Sequence, residues 1–283
     1  KNNLIVSLKI RSLEKDNGNP LVYLDNRVKA KHKMYVLPKE DEELAAYISN
    51  LLDELQSAEI SLETDLMQIY KHNNIDLNCG RHKRIFADKR IVPKFCFGCF
   101  KVQVDVSTVL DLIRLTALFY EIEFESDLTR KCFTELRPSF TGTYKGLIYC
   151  RGIDQAKRVK TLMDAHISEI DENLKAKIKR GCSEFYKTFP EYAQVAESEE
   201  MMMRYPQEWQ SLETEFDAEH LMAPKSYINP SLNEFCLSDY LIIQKWIDYA
   251  KGIGDPSSEL FCNVPIKHKV VLDIAKARGN DYV

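Results

Sequence analysis

Two short pairs of metal-seeking side chains stand out. In Cys79-Gly80-Arg81-His82 and Cys96-Phe97-Gly98-Cys99, two residues separate the ligands of each pair and thirteen separate the pairs. A turn of that length brings both donors of a pair to one side, and thiolates with imidazole favour zinc in tetrahedral geometry. Gly80 and Gly98 suit turns tight enough for backbone amides to face sulfur. The expectation is a closed, structural zinc site built from Cys79, His82, Cys96 and Cys99, contributing folding energy to a polar loop. Two other readings compete. Cys96 and Cys99 can be ordinary buried thiols among Phe95, Phe97 and Phe100, with His82 on the surface. Alternatively the sulfurs hold an iron-sulfur cluster or act as a redox dithiol, with Cys132, Cys150 or Cys182 as a further ligand where the fold brings one near.

Between and just after these pairs lie Arg81, Lys83, Arg84, Lys89, Arg90, Lys94 and Lys101, against Asp88 as the lone acid. In a chain of net charge -4 this local excess is the feature that would attract phosphate on a nucleotide or nucleic acid. The competing reading is a solvated surface face. Arg137, beside Pro138, adds a further candidate contact for an anion. Catalytic signatures are sparse: there is no phosphate-binding glycine loop, GxSxG elbow or HExxH. Cys150 or Cys182 with His166 or His220 would make a thiol nucleophile and base, but each also reads as a core residue.

The elements that position these groups follow from the hydrophobic periods. Alternation over residues 4–13 and short β-prone runs at 21–24 and 33–37 suggest N-terminal strands. Leu44, Tyr47, Ile48, Leu51, Leu52 and Leu55 form a helical stripe, and Leu66, Ile69 and Tyr70 suggest a second helix over 62–71. Phe100–Val106 alternates as a strand. Thr108 and Asp111 are spaced as a capping box before Val109, Leu112, Ile113, Thr116 and Tyr120. Runs at 132–137 and 144–150 read as a hairpin. Asp154 is placed to cap a helix carrying Val159, Met163 and Ile167, and a last strand spans 178–185.

Strand, helix, strand, strand, helix, strand is the ferredoxin-like βαββαβ plan, in which one sheet face is left open. That face would show Lys101, Gln103 and Asp105 from one strand and Phe133, Glu135 and Arg137 from another. The ribonucleoprotein glycine-aromatic signature is absent, which weighs against reading RNA as that class does. The C-terminal helices are a second possible cover for the face. The expected organisation is α+β: N-terminal strands and helices over 1–78, the zinc-binding hairpin and entry strand over 79–106, the ferredoxin-like core over 95–186, and a helical region over 187–283.

No run approaches the ~20 apolar residues of a membrane span. Eight cysteines without a signal-like segment point to a reducing, cytoplasmic setting. The leading functional expectation is a zinc-stabilised module binding phosphate-bearing ligands, nucleic acid foremost. The alternatives are an enzyme on a small anionic substrate, using Arg137, Lys145 and a cysteine or iron-sulfur centre, and a regulatory protein-interaction domain with an apolar patch around 192–203.

Overall fold

A computed structural model describes residues 5–8, 38–57, 60–63, 67–71, 77–125, 128–137, 140–220, 235 and 237–278. The strands expected at 21–24 and 33–37 lie outside them. Strand β1 (Ile5–Leu8) pairs antiparallel with β2 (Ile60–Glu63). The remaining strands form one antiparallel five-stranded sheet in a mixed α/β structure. Its members are β3 (Gln68–Lys71), β4 (Cys99–Val106), β5 (Arg130–Thr134), β6 (Tyr144–Arg151) and β7 (Lys177–Arg180), in the order β3-β5-β6-β4-β7.

Period-two alternation decides the faces. Phe100, Val102 and Val104 of β4, with Ile148 and Cys150 of β6, point to one side and are buried. Helices α4 (Val109–Glu121) and α5 (Ile153–Ile167) cover that side. Thr108 caps α4 as its spacing with Asp111 predicts: its Oγ1 accepts from the Asp111 N–H at 3.1 Å and donates to Asp111 Oδ2 at 2.7 Å, in place of the reciprocal backbone bond of a full capping box. Gly146 lets α4 lie close, because a Cβ there would come within 2.6 Å of Leu115 and 2.8 Å of Phe119. Gly152, at φ 77°, is the N-cap of α5, so Asp154 lies inside the helix rather than at its cap. Behind them pack α1 (Asp41–Ser57), which carries the predicted stripe, and α8 (Leu237–Ile253), leaving α9 (Lys269–Arg278) against α8.

Where a helix was expected over 62–71, the described residues are the end of β2, Met67 and all of β3. Ile69 is paired with Cys132 of β5, and Trp246 of α8 donates Nε1–H to the Met67 carbonyl at 2.8 Å. Long-range pairing overrode a three-residue stripe that was too short to specify a helix. The strand expected over 178–185 stops at Arg180, so Cys182 lies just beyond it.

A second apolar cluster forms beside the sheet. Helices α2 (Cys79–Lys89) and α3 (Lys94–Phe97) meet α6 (Pro190–Ala193) and α7 (Trp209–Glu219) through Phe86, Val92, Cys96, Phe185, Tyr192 and Trp209. Arg180, 2% exposed, ties this cluster to the sheet: its guanidinium donates to the carbonyls of Phe97 and Tyr192 and lies over the Phe100 ring. No helix among the described residues is long and apolar enough to cross a membrane.

Candidate functional site

The sheet face away from α4 and α5 carries a cavity of about 420 Å³. Its floor follows from strand register, since residues paired across strands share a face. One row runs Tyr70, Lys131, Leu147, Gln103 and Lys177 across all five strands. Flanking it are the rows Gln68, Phe133, Lys145, Asp105 and Tyr149, Lys101, Lys179. Phe140, Lys83 and Glu184 complete the rim. Among the described residues, the long C-terminal helix α8 packs with α1 and α4 on the other side of the sheet rather than over this face.

Six basic side chains line the cavity (Lys83, Lys101, Lys131, Arg137, Lys145 and Lys179) against two carboxylates, Glu135 and Glu184. The carboxylates are already engaged. Glu135, 3% exposed, receives Arg137 through two parallel bonds of 2.7 and 2.8 Å and has Lys145 Nζ at 3.5 Å. Burial pushes Glu135 up, but the Arg137 hydrogen bonds and charge, helped by Lys145, outweigh it and hold it below the ordinary carboxylate value. Arg137 also lies over Phe140, 3.9 Å from the ring centroid. Glu184 binds Lys83 at 2.8 Å.

That leaves Lys101, Lys131 and Lys179, none of which has a carboxylate within ion-pairing distance among the described residues. Lys101 is 7% exposed, and burial lowers its pKa. Lys131 is pushed down to about 8 by burial and by the charge of Lys101. Its ammonium lies 4.6 Å from the Phe133 ring centroid and 3.2 Å from Gln68 Oε1. The like charges of Lys101 and Lys131 repel across this face, Glu184 offsets only part of that repulsion, and a polyanion would relieve the rest.

The other basic residues named from sequence are distributed differently. Arg81 grips Asp217 through Nε and Nη2, both at 2.7 Å, and reaches Glu213 at 3.1 Å. Lys89 pairs with Glu215 at 3.1 Å. Lys94 donates its backbone N–H to Glu213 Oε1 at 2.7 Å and sets its ammonium over Tyr205. Acids of α7, more than a hundred residues downstream, thus meet three of the seven members of the basic run, Lys94 through its backbone N–H. Arg84 and Arg90 are exposed outside the cavity, Arg90 in the left-handed conformation that ends α2. Of the run, Lys83 and Lys101 line the cavity, joined by Arg137.

The four expected zinc ligands lie on two helices and the start of a strand. Cys79 and His82 occupy the first turn of α2, so Gly80 is helical and the pair makes no tight turn. His82 is buried, stacked on Phe95 with centroids 5.0 Å apart. Cys96 is in α3 and Cys99 begins β4, so these residues form a helix and a strand entry rather than a hairpin. Among the described residues no three His, Cys, Asp or Glu side chains gather as one metal ion would require. Cys150 is buried on the helix-covered face and pushed up to about 12 by burial, unsuited to act as a thiolate. His166 Nδ1 faces the Leu162 carbonyl of its own helix turn at 2.9 Å, where it can only donate.

Lys131 and Lys179 were not named as ligand contacts from sequence, whereas Lys145 was named with Arg137 for a small anionic substrate. The signal was present in the alternation of their strands, but it needed the cross-strand register to show that they converge. No protein-family model matches this chain, and neither a curated protein nor a solved structure does.

Proposed function

We propose that this protein is a binding module for a phosphate-bearing ligand, nucleic acid foremost, taken on the open face of a ferredoxin-like sheet. The order β7, β4, β6, β5, with α4 and α5 on one face, supports the ferredoxin-like reading, and β3 extends the sheet beside β5. The observation that carries the functional reading is the trio Lys101, Lys131 and Lys179, converging on a cavity whose carboxylates are occupied by other cations. Phosphate oxygens would supply the missing countercharge, while Phe133, Tyr70 and Phe140 offer ring faces for a base. A volume of about 420 Å³ suits one nucleotide unit rather than a duplex groove.

The test is titration of a labelled single-stranded oligonucleotide and of its duplex. The single strand should bind, Lys101→Met should weaken it at least tenfold, and Phe133→Ala should weaken it by about 1–3 kcal/mol if a base stacks there. Equal binding by both variants and the parent would sink the reading.

One observation favours the enzyme alternative: a lysine held near pKa 8 inside a cavity is in the range that acid-base chemistry uses. A turnover assay on small phosphorylated substrates, lost in Lys131→Arg while oligonucleotide binding persists, would move that reading ahead.

A further inference from the structure

The cavity has room for about one nucleotide, and the open sheet face runs on past its edge. Cys99 lines the cavity and pairs in register with Arg151, the last residue of β6. The next pair on that face is Lys101 with Tyr149. Alternation therefore places Arg151 on the same face as Tyr149, about 7 Å further along the strand. Beside it stands Phe95 of α3, whose ring centroid is 6.0 Å from the exposed Arg151 guanidinium. Phe95 is 40% exposed, whereas Cys96, its neighbour in the same short helix, is buried. His82 supports the ring from α2, stacked at 5.0 Å with 24° between the planes, and the residue after it, Lys83, lines the cavity.

Backbone bonds fix this shelf to the sheet. Gly98 donates its N–H to the Phe95 carbonyl at 3.2 Å, and Gly152 donates to the Gly98 carbonyl at 2.8 Å, tying α3 to the end of β6. The Arg151 N–H donates to Gln155 Oε1 at 2.7 Å. Arg137 packs on Phe140 at 3.9 Å, but Arg151 stands off Phe95, so much of this ring stays open.

We propose that Phe95 and Arg151 form a second base subsite, so that the ligand is a single strand that fills the cavity with one nucleotide and lays the next base on Phe95. This rests on the reading of the cavity as a nucleotide site. A ring face and a planar guanidinium are the two side-chain surfaces on which an unpaired base stacks, and stacking tolerates any base. A duplex keeps its bases stacked on one another and has none to offer the ring. His82 already holds Phe95 in place, which limits the ordering cost of binding. Phe95 takes a base and not a phosphate, so its share of the affinity does not depend on counterion release.

The test is calorimetric titration with phosphorylated oligodeoxyadenylates of one to four nucleotides. The mononucleotide should bind the parent and lose affinity in Lys101→Met, which reports on the cavity alone. Lengthening the strand should raise affinity roughly 5- to 150-fold, the range for one stacked base. Phe95→Ala should remove that gain while leaving mononucleotide affinity and the salt slope unchanged, and Phe95→Trp should restore it. An abasic unit next to the first nucleotide should remove the gain in the parent, which keeps the test intact if Phe95→Ala does not fold. Arg151→Met, at an exposed residue, should lower the gain about 2- to 5-fold. A parent that binds the mononucleotide but gains nothing with length overturns the subsite and leaves the cavity reading standing. So does a gain that survives Phe95→Ala and the abasic unit. A parent that binds no length overturns both.

Discussion

Replacing Lys131 with methionine should make the empty protein more stable while removing affinity for phosphate. The folded-state pKa of about 8 lies about 2.5 units below the ordinary 10.5. At ~1.4 kcal/mol per unit, holding this ammonium in the fold costs about 3 kcal/mol at neutral pH. The hydrogen bond to Gln68 and the Phe133 ring return about 1 kcal/mol, and the methionine chain keeps the apolar packing. A net gain of about 2 kcal/mol follows for Lys131→Met at pH 7.

The sign with pH is fixed by linkage. Between about 8 and 10.5 the unfolded lysine holds its proton and the folded one has lost it, so parent stability rises across that window. Below it both forms are charged and the penalty is constant. Urea unfolding of parent and Lys131→Met at pH 7 and pH 10 measures the difference, which should shrink toward zero at the higher pH. A variant less stable at pH 7, or a difference that does not change with pH, would refute the reasoning.

Three further outcomes follow from other contacts. Glu213→Ala should destabilise by about 3 kcal/mol in urea, since Arg81, the Lys94 N–H and the Tyr205 hydroxyl all lose a buried acceptor; a loss below 1 would contradict this. Gly146→Ala should cost about 1–3 kcal/mol by forcing α4 off the sheet through Leu115 and Phe119, and a neutral substitution would show that the helix has room. Glu135, with its pKa held low, contributes stability above the unfolded carboxylate value that is lost as pH falls through the folded one. Glu135→Gln should therefore flatten stability on the acid side of pH 4.5, and an unchanged acid limb would argue against the Arg137 pairing.

Much of the core was legible because its signals were local. The stripe from Leu44 to Leu55, the cap signal at Thr108 and Asp111, and the alternation of Phe100 to Val106 each specify an element within a dozen residues. What escaped the sequence depended on partners far along the chain. The run Arg81 to Lys101 reads as one basic patch until α7 delivers Glu213, Glu215 and Asp217 to it, and Gln68 to Lys71 becomes a strand only because β5 offers an open edge. The cationic face was half visible: Lys101, Gln103, Phe133, Glu135 and Arg137 follow from alternation. Lys131 and Lys179 joined them only through register. His82, named as a ligand by spacing, stacks on Phe95, a contact that spacing does not reveal.

The central claim is that Lys101, Lys131 and Lys179, which have no carboxylate partner among the described residues, bind phosphate. The salt dependence of oligonucleotide binding tests it most directly. Neutralising three lysines with a single strand should give log affinity against log salt a slope of about -2, reduced toward about -1.4 in Lys101→Met. A slope near zero, or one unmoved by Lys101→Met, Lys131→Met and Lys179→Met alike, would contradict the account.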